Sequence, residues 1–280
     1  MERHKIWFYT LVISALFVAI WLVFYIYRPR TSEAPVSMPL EPQVIKAPPL
    51  EGRHILSIEQ ALALTKLYPL SARAHYELGR VYHARRDFSK AILAFERSIA
   101  LDPLVVPAYF GLVDCYMYSK PPAWQKAEQT LSKLLQVAYM VEHRAAAYTY
   151  LGNLYLDMHS HLRSDKLLDK AEHAYKECLS LLKADSSCAY GIGIVAARRG
   201  KWDAARFYFE KAVEWSRSGR EKAKSLEALA NVFAEKGEMK KAKELIEEAR
   251  RVYPNYPATL WVNPSKSESK QDLEGNRGRD

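Results

Sequence analysis

Few side chains in this sequence are spaced for bond-making chemistry. Asp157, His159 and His161 are of metal-ligating types, but a structural site takes four ordered ligands, so no metal is expected. Glu247 and Glu248 adjoin on a helical pattern and read as a solvated pair, not as an acid and base in a cleft. There is no Cys-x-x-Cys, no phosphate-binding glycine loop and no nucleophile elbow. The chain is therefore expected to be no enzyme and to take no cofactor. The chemistry that remains is recognition. Arg73 and Arg80 lie two turns apart on one helix face with Tyr76 between them, a grouping that pairs with a carboxylate while stacking an apolar side chain.

Those residues need a scaffold, and the sequence supplies one in copies. Residues 72–105 carry Leu78, Gly79, Tyr82, Ala91, Phe95 and Pro103, with His75 and Ser98 at two further positions of the pattern. A second copy from Val106 has Tyr109, Leu112, Tyr116, Ala127, Leu131 and Leu134, with Ser119-Lys120-Pro121-Pro122 absorbing an insertion. A third has Tyr148, Leu151, Gly152, Tyr155, Ala171, Tyr175 and Cys178, and its extra residues read as a loop from His159 to Lys166. A fourth, from Ser186, has Ile192, Gly193, Gly200, Ala205, Phe209 and Ala212. The fifth, from Ala223, has Leu229, Ala230, Phe233, Gly237, Ala242, Ile246, Ala249 and Pro254. Ile58 to Pro69 reads as the second helix of a degenerate half-repeat within 54–71. Small residues at these positions let helices approach, and the aromatic residues fill the space between hairpins.

This pattern resembles the tetratricopeptide repeat, a helix–turn–helix unit of 34 residues, over residues 72–262. The resemblance implies an all-α solenoid of about five repeats whose first helices line a concave groove that binds protein or peptide. The implied lining positions are Arg73, Tyr76, Arg80 and His83, then Phe110, Asp114 and Met117. Ala146, Thr149, Asn153 and Leu156 follow in the third repeat, and Ser187, Tyr190, Ile194 and Ala197 in the fourth. Lys224, Glu227, Asn231 and Ala234 follow in the fifth. Arg73, Tyr76, Arg80, Phe110, Asp114, Asn153, Tyr190 and Asn231 are the candidate partner-binding residues, with Asn153 and Asn231 placed to offer an amide to a peptide backbone. One subfamily clamps a C-terminal carboxylate with paired Lys and Asn on early first helices. Tyr76 and Arg80 stand at those positions here, which does not support that clamp.

Ile6 to Tyr27 is a run of 22 uncharged residues. As a helix it is about 33 Å long, enough to cross a bilayer core. Aromatic residues stand at both ends, as at headgroup boundaries. No small-residue cleavage site follows, so the run is expected to be an uncleaved anchor rather than a signal peptide. Arg3 and Lys5 before it and Arg28 and Arg30 after it nearly balance. The short tail (1–5) and the large domain that follows favour a signal-anchor with the repeats outside the cytoplasm, in a periplasmic or other extracytoplasmic space. Six prolines in 28–53 suggest an extended spacer, and 263–280 reads as a disordered tail.

The net charge is +9. Residues 54–262 hold thirty-one Lys/Arg against twenty-four Asp/Glu, which favours acidic partners. No basic stripe accompanies the excess, so nucleic acid is not an expected partner. Three cysteines do not make a disulfide framework and read as buried small residues, though Cys178 and Cys188 fall on successive helices and could meet. The reading is a membrane-anchored scaffold that assembles partners, with residues 6–27 in contact with lipid. A cytoplasm-facing adaptor and a non-catalytic subunit of a membrane enzyme complex are the alternatives.

Overall fold

A computed structural model describes residues 56–260. The candidate anchor 6–27, the spacer 28–53 and the tail 263–280 lie outside the described residues. Among the described residues there are eleven α-helices and no strand, and no helix is long and apolar enough to cross a membrane. The helices are α1 (Ile58–Leu67), α2 (Ala72–Ala84), α3 (Phe88–Leu101), α4 (Val106–Tyr118), α5 (Trp124–Val137), α6 (Val141–Leu162), α7 (Asp165–Leu181), α8 (Ser186–Arg198), α9 (Trp202–Glu214), α10 (Gly219–Glu235) and α11 (Met239–Val252).

Local sequence starts and stops them. Ser57 and Gln60 form a reciprocal capping box on α1. Ser71, Asp87, Asp185 and Ser218 each accept a backbone N–H in the first turn of the helix that follows, which satisfies donors a helix leaves orphaned. Ser98, where the pattern favours alanine, donates its hydroxyl to Ala72 O across 2.8 Å and ties the end of α3 to the start of α2.

The helices pair as five hairpins, α2/α3 to α10/α11, with α1 as the half-repeat's helix. Each first helix also packs on the next first helix, whereas second helices touch only their sequence neighbours among the described elements. One inner row of first helices results, as a solenoid requires. On three of the second helices an aromatic residue packs on a neighbouring glycine. A Cβ on Gly79 would lie 2.6 Å from the Phe95 ring, and one on Gly111 of the next hairpin would lie 2.5 Å from it. Tyr175 is wedged in the same way between Gly152 and Gly191, and Phe209 lies on Gly193.

Two expectations are corrected. His159 to Lys166 is not an inserted loop. The third hairpin takes up its extra residues by lengthening both helices, to 22 residues in α6 and 17 in α7. Arg163, in the left-handed region at φ 54°, ends α6. Cys178 and Cys188 are not separate buried thiols. They form a disulfide with Cα atoms 6.2 Å apart, joining the last turn of α7 to the first turn of α8. Cys115 remains free and buried, and burial pushes its thiol up to about 12.

Candidate peptide groove

The inner row of first helices carries the predicted lining positions, and the structure divides them into two halves of different character. In the N-terminal half most are already engaged. Arg80 donates to Glu77 across 2.8 Å, on a carboxylate whose side chain is only 8% exposed, and its guanidinium sits 5.8 Å from the Tyr76 ring. Tyr76 leans on the Phe95 wedge, ring centres 6.0 Å apart. Arg73 is exposed and forms no ion pair among the described residues. Arg73 and Arg80 therefore do not act as matched cations, because Glu77 already neutralises one of them.

Phe110 stacks on Tyr150 of α6 at 4.4 Å. Asp114 is half-buried beside them. Burial raises its pKa above the usual carboxylate range, and His83 across the α2–α4 contact opposes that shift. Tyr150, beside Asp114, is pushed up to about 12, chiefly by burial and then by that carboxylate. The Nε2 atom of His83 is buried with no hydrogen-bond partner. Phe110, Asp114 and His83 are thus brought together, with Tyr150 as a neighbour that the lining rule passes over.

In the C-terminal half the first helices leave two adjoining hollows that share Tyr190. One, of about 150 Å³, is lined by Thr149 and Asn153 of α6, Ser186, Ser187 and Tyr190 of α8, and Glu221, Lys224 and Ser225 of α10. The other, of about 190 Å³, is lined by Tyr190, Ile194 and Ala197, by Trp202 and Phe209 of α9, and by Glu227, Asn231 and their neighbours on α10. Nine of the lining positions expected from the repeat register fall in these hollows.

Lys224 is the distinctive charge here. Its ammonium lies 4.2 Å from the Tyr190 ring centre, a cation–π contact, and it forms no ion pair among the described residues. Burial first, and then Arg220, lower its pKa. Nearby carboxylates have other partners. Glu221 accepts from the Ser186 hydroxyl at 3.2 Å and the Arg217 amide at 3.1 Å. Glu227 holds the segment that follows α11, taking the Tyr256 hydroxyl at 2.6 Å and the Thr259 amide at 3.0 Å. Asn153 accepts the Tyr175 hydroxyl at 2.7 Å on its carbonyl oxygen, which leaves its amide N–H groups and the second lone pair of that oxygen for a peptide.

Asp157, His159 and His161 do not converge. Asp157 takes the Trp124 indole N–H at 2.8 Å and approaches His161 to 4.0 Å, while His159 Nδ1 faces Ser164 O at 3.0 Å. Sequence reading named Lys224 only as one lining position among many. Its setting on Tyr190, the Glu227 strap and the disulfide depend on contacts between separate hairpins, which periodicity does not report.

Comparison with known proteins agrees with this geometry. Profiles described as tetratricopeptide repeat match residues 53–106 and 185–255. Over 95 residues, 34% of this chain, the sequence is 27% identical to mouse Superkiller complex protein 3, and it spans only 6% of that protein's length. A thermophilic tetratricopeptide-repeat protein of Thermus thermophilus superposes with a TM-score of 0.54 at 18% identity, covering 66% of this chain and 93% of that one. PilF of Pseudomonas aeruginosa superposes with a TM-score of 0.54 at 19% identity, covering 76% and 90%. These likenesses establish the repeats and the fold.

Proposed function

We propose that this tetratricopeptide-repeat protein is a membrane-anchored scaffold whose groove between the third and fifth hairpins binds an extended, acidic partner segment. Tetratricopeptide domains bind protein or peptide partners, and the charge and side chains of this groove give the finer reading. The observation that carries it is Lys224, an ammonium held on the Tyr190 ring in a hollow that also presents Thr149, Asn153 and Ser187. A carboxylate entering there gains an ion pair and hydroxyl and amide donors. The adjoining hollow, with Ile194, Trp202 and Phe209, takes an apolar side chain of the same segment. Binding, not catalysis, is the role assigned to the chain.

The anchor is the uncharged run 6–27, and the repeats lie on the extracytoplasmic side. The Cys178–Cys188 disulfide supports that side, because such bonds persist in oxidising compartments and are rare in the cytosol. Protease protection in sealed vesicles tests the sidedness.

The groove is tested with fluorescent peptides that carry an acidic residue beside an apolar one, read by anisotropy on the full chain in detergent. Lys224→Glu should weaken binding at least tenfold, whereas Lys240→Glu, on the second helix of the last hairpin, should not. Equal losses in the two variants would mean diffuse attraction and overturn the site.

A further inference from the structure

The two edges of the solenoid differ in charge, and the difference appears only when the hairpins are stacked. The turns inside hairpins, residues 85–87, 119–123, 163–164, 199–201 and 236–238, hold seven Lys/Arg and two Asp/Glu. The turns between hairpins, residues 68–71, 102–105, 138–140, 182–185 and 215–218, hold two of each. The first set forms one continuous edge, because contacts link each member to the next. Phe88 stacks on Tyr118 at 6.3 Å and Trp124 meets His161 at 5.3 Å. Asp169 pairs with Arg199, and Asp203 pairs with Lys236.

Those ion pairs use Arg199 and Lys236. Arg85, Arg86, Lys120, Arg163 and Lys201 stay exposed and form no ion pair among the described residues. Between them stand two large exposed apolar side chains, Tyr118 at 61% and Leu162 at 56%. A second observation is independent of charge. Four of the five turns use a residue at positive φ, and two of these are Gly200 and Gly237, which adopt it freely. The other two are Arg86 (φ 60°) and Arg163 (φ 54°), residues for which this region is strained. Two arginines thus stand on the edge where the backbone favours glycine.

We infer that this edge rests on a bilayer of anionic lipid, with the five unpaired cations over phosphate headgroups and Tyr118 and Leu162 in the interface. Interleaved cations and amphipathic or aliphatic side chains suit a headgroup layer, and each cation near an anionic surface strengthens attachment roughly fivefold. A nucleic acid would also meet the charge, but Tyr118 is already stacked on Phe88 and Leu162 offers a base no π-face. Docking by this edge leaves the groove of the preceding subsection open.

The full chain reports on itself through one added thiol. Cys178 and Cys188 are bridged and Cys115 is buried, so a dye reacts at Ser164→Cys. The labelled chain is placed in nanodiscs of neutral or phosphatidylglycerol-containing lipid that carry a headgroup acceptor. Energy transfer should be strong in anionic discs, weak in neutral ones and lost at high salt. The variant Arg85→Ser/Arg86→Gly/Arg163→Gly should fall to the neutral-disc level, while Lys66→Glu/Lys183→Glu, which alters the opposite edge, should not. Equal transfer in both kinds of disc, or an unaltered triple variant, overturns the inference. So does protection of the edge by single-stranded RNA with no response to lipid. Recovery in discs at all reports on the anchor separately. A chain that enters no disc but floats with anionic vesicles, and not as the triple variant, keeps the edge and removes the anchor. One that does neither removes both.

Discussion

At Gly79 a single hydrogen atom sets the distance between two helices. A larger side chain there meets the Phe95 ring, whose nearest atoms would be 2.6 Å from a Cβ. Gly79→Leu should cost about 1–3 kcal/mol by overpacking, seen as a lower urea midpoint, and Phe95→Leu in the same chain should recover part of it. An unchanged midpoint would mean that the register is wrong. Asp114 makes a prediction with a definite sign. Burial holds its native pKa above the ordinary 3.8, against the pull of His83. The native state therefore binds this proton more tightly than the unfolded chain does. Its contribution to stability is greatest at low pH and declines as pH climbs through the window between the ordinary and the raised value. Asp114→Asn should remove that decline and raise stability at neutral pH, measured as urea midpoints across a pH series. A variant with the parent's pH profile would show that the carboxylate is solvated. These residue-scale features differ in how far the sequence discloses them. Gly79 and Ala91 carry the repeat register and were legible. The desolvation of Asp114 was not, because Phe110, Tyr150 and His83 come from three different helices.

Helices α7 and α8 are joined by a covalent bond as well as by packing. The bridged cysteines are ten residues apart, with the Thr149 hydroxyl of α6 3.4 Å from one sulfur and 3.1 Å from the other. Closing a loop of that size stabilises by about 2–3 kcal/mol. A reductant should therefore lower the melting temperature of the parent chain and leave Cys178→Ser/Cys188→Ser unaffected. If the reductant has no effect on the parent, the bridge does not form in solution. Element boundaries were legible where a glycine marks them, as at Gly200 and Gly237. They were misread in the third hairpin. There the apolar positions Leu154, Tyr155 and Met158 run on without a breaker, and the turn is made by Arg163, which carries no sequence signal for a left-handed conformation. The basic edge escaped the sequence for a related reason. Its members are separated by whole hairpins along the chain, and stacking alone brings them into line.

Across the whole molecule the wedges impose an order. Phe95 faces Gly79 behind and Gly111 ahead, and Tyr175 faces Gly152 and Gly191. At the equivalent position of the second hairpin stands the smaller Leu131, and the residues in register with those glycines are Val113 and Tyr150. Phe209 meets Gly193 behind, with Ala228 in register ahead. The junctions are thus filled in different ways: a large ring against two glycines at Phe95 and Tyr175, a smaller Leu131 with Val113 and Tyr150 in register, and Phe209 against Gly193 with Ala228 in register. Excising residues 106–144 would keep the periodicity intact but set the Phe95 ring against Tyr150 in place of Gly111. Such a chain should express poorly or melt well below the parent, and Tyr150→Gly in the shortened chain should restore much of the loss, as followed by circular dichroism. A shortened chain as stable as the parent would mean that the junctions adapt freely. If the mismatch holds, the hairpins cannot be dealt out like identical cards. Recombination between neighbouring copies, the ordinary way in which repeat arrays gain and lose members, would leave a misfit at the new seam. The number and order of hairpins in this lineage should then be inherited as a fixed sentence rather than as a word repeated at will.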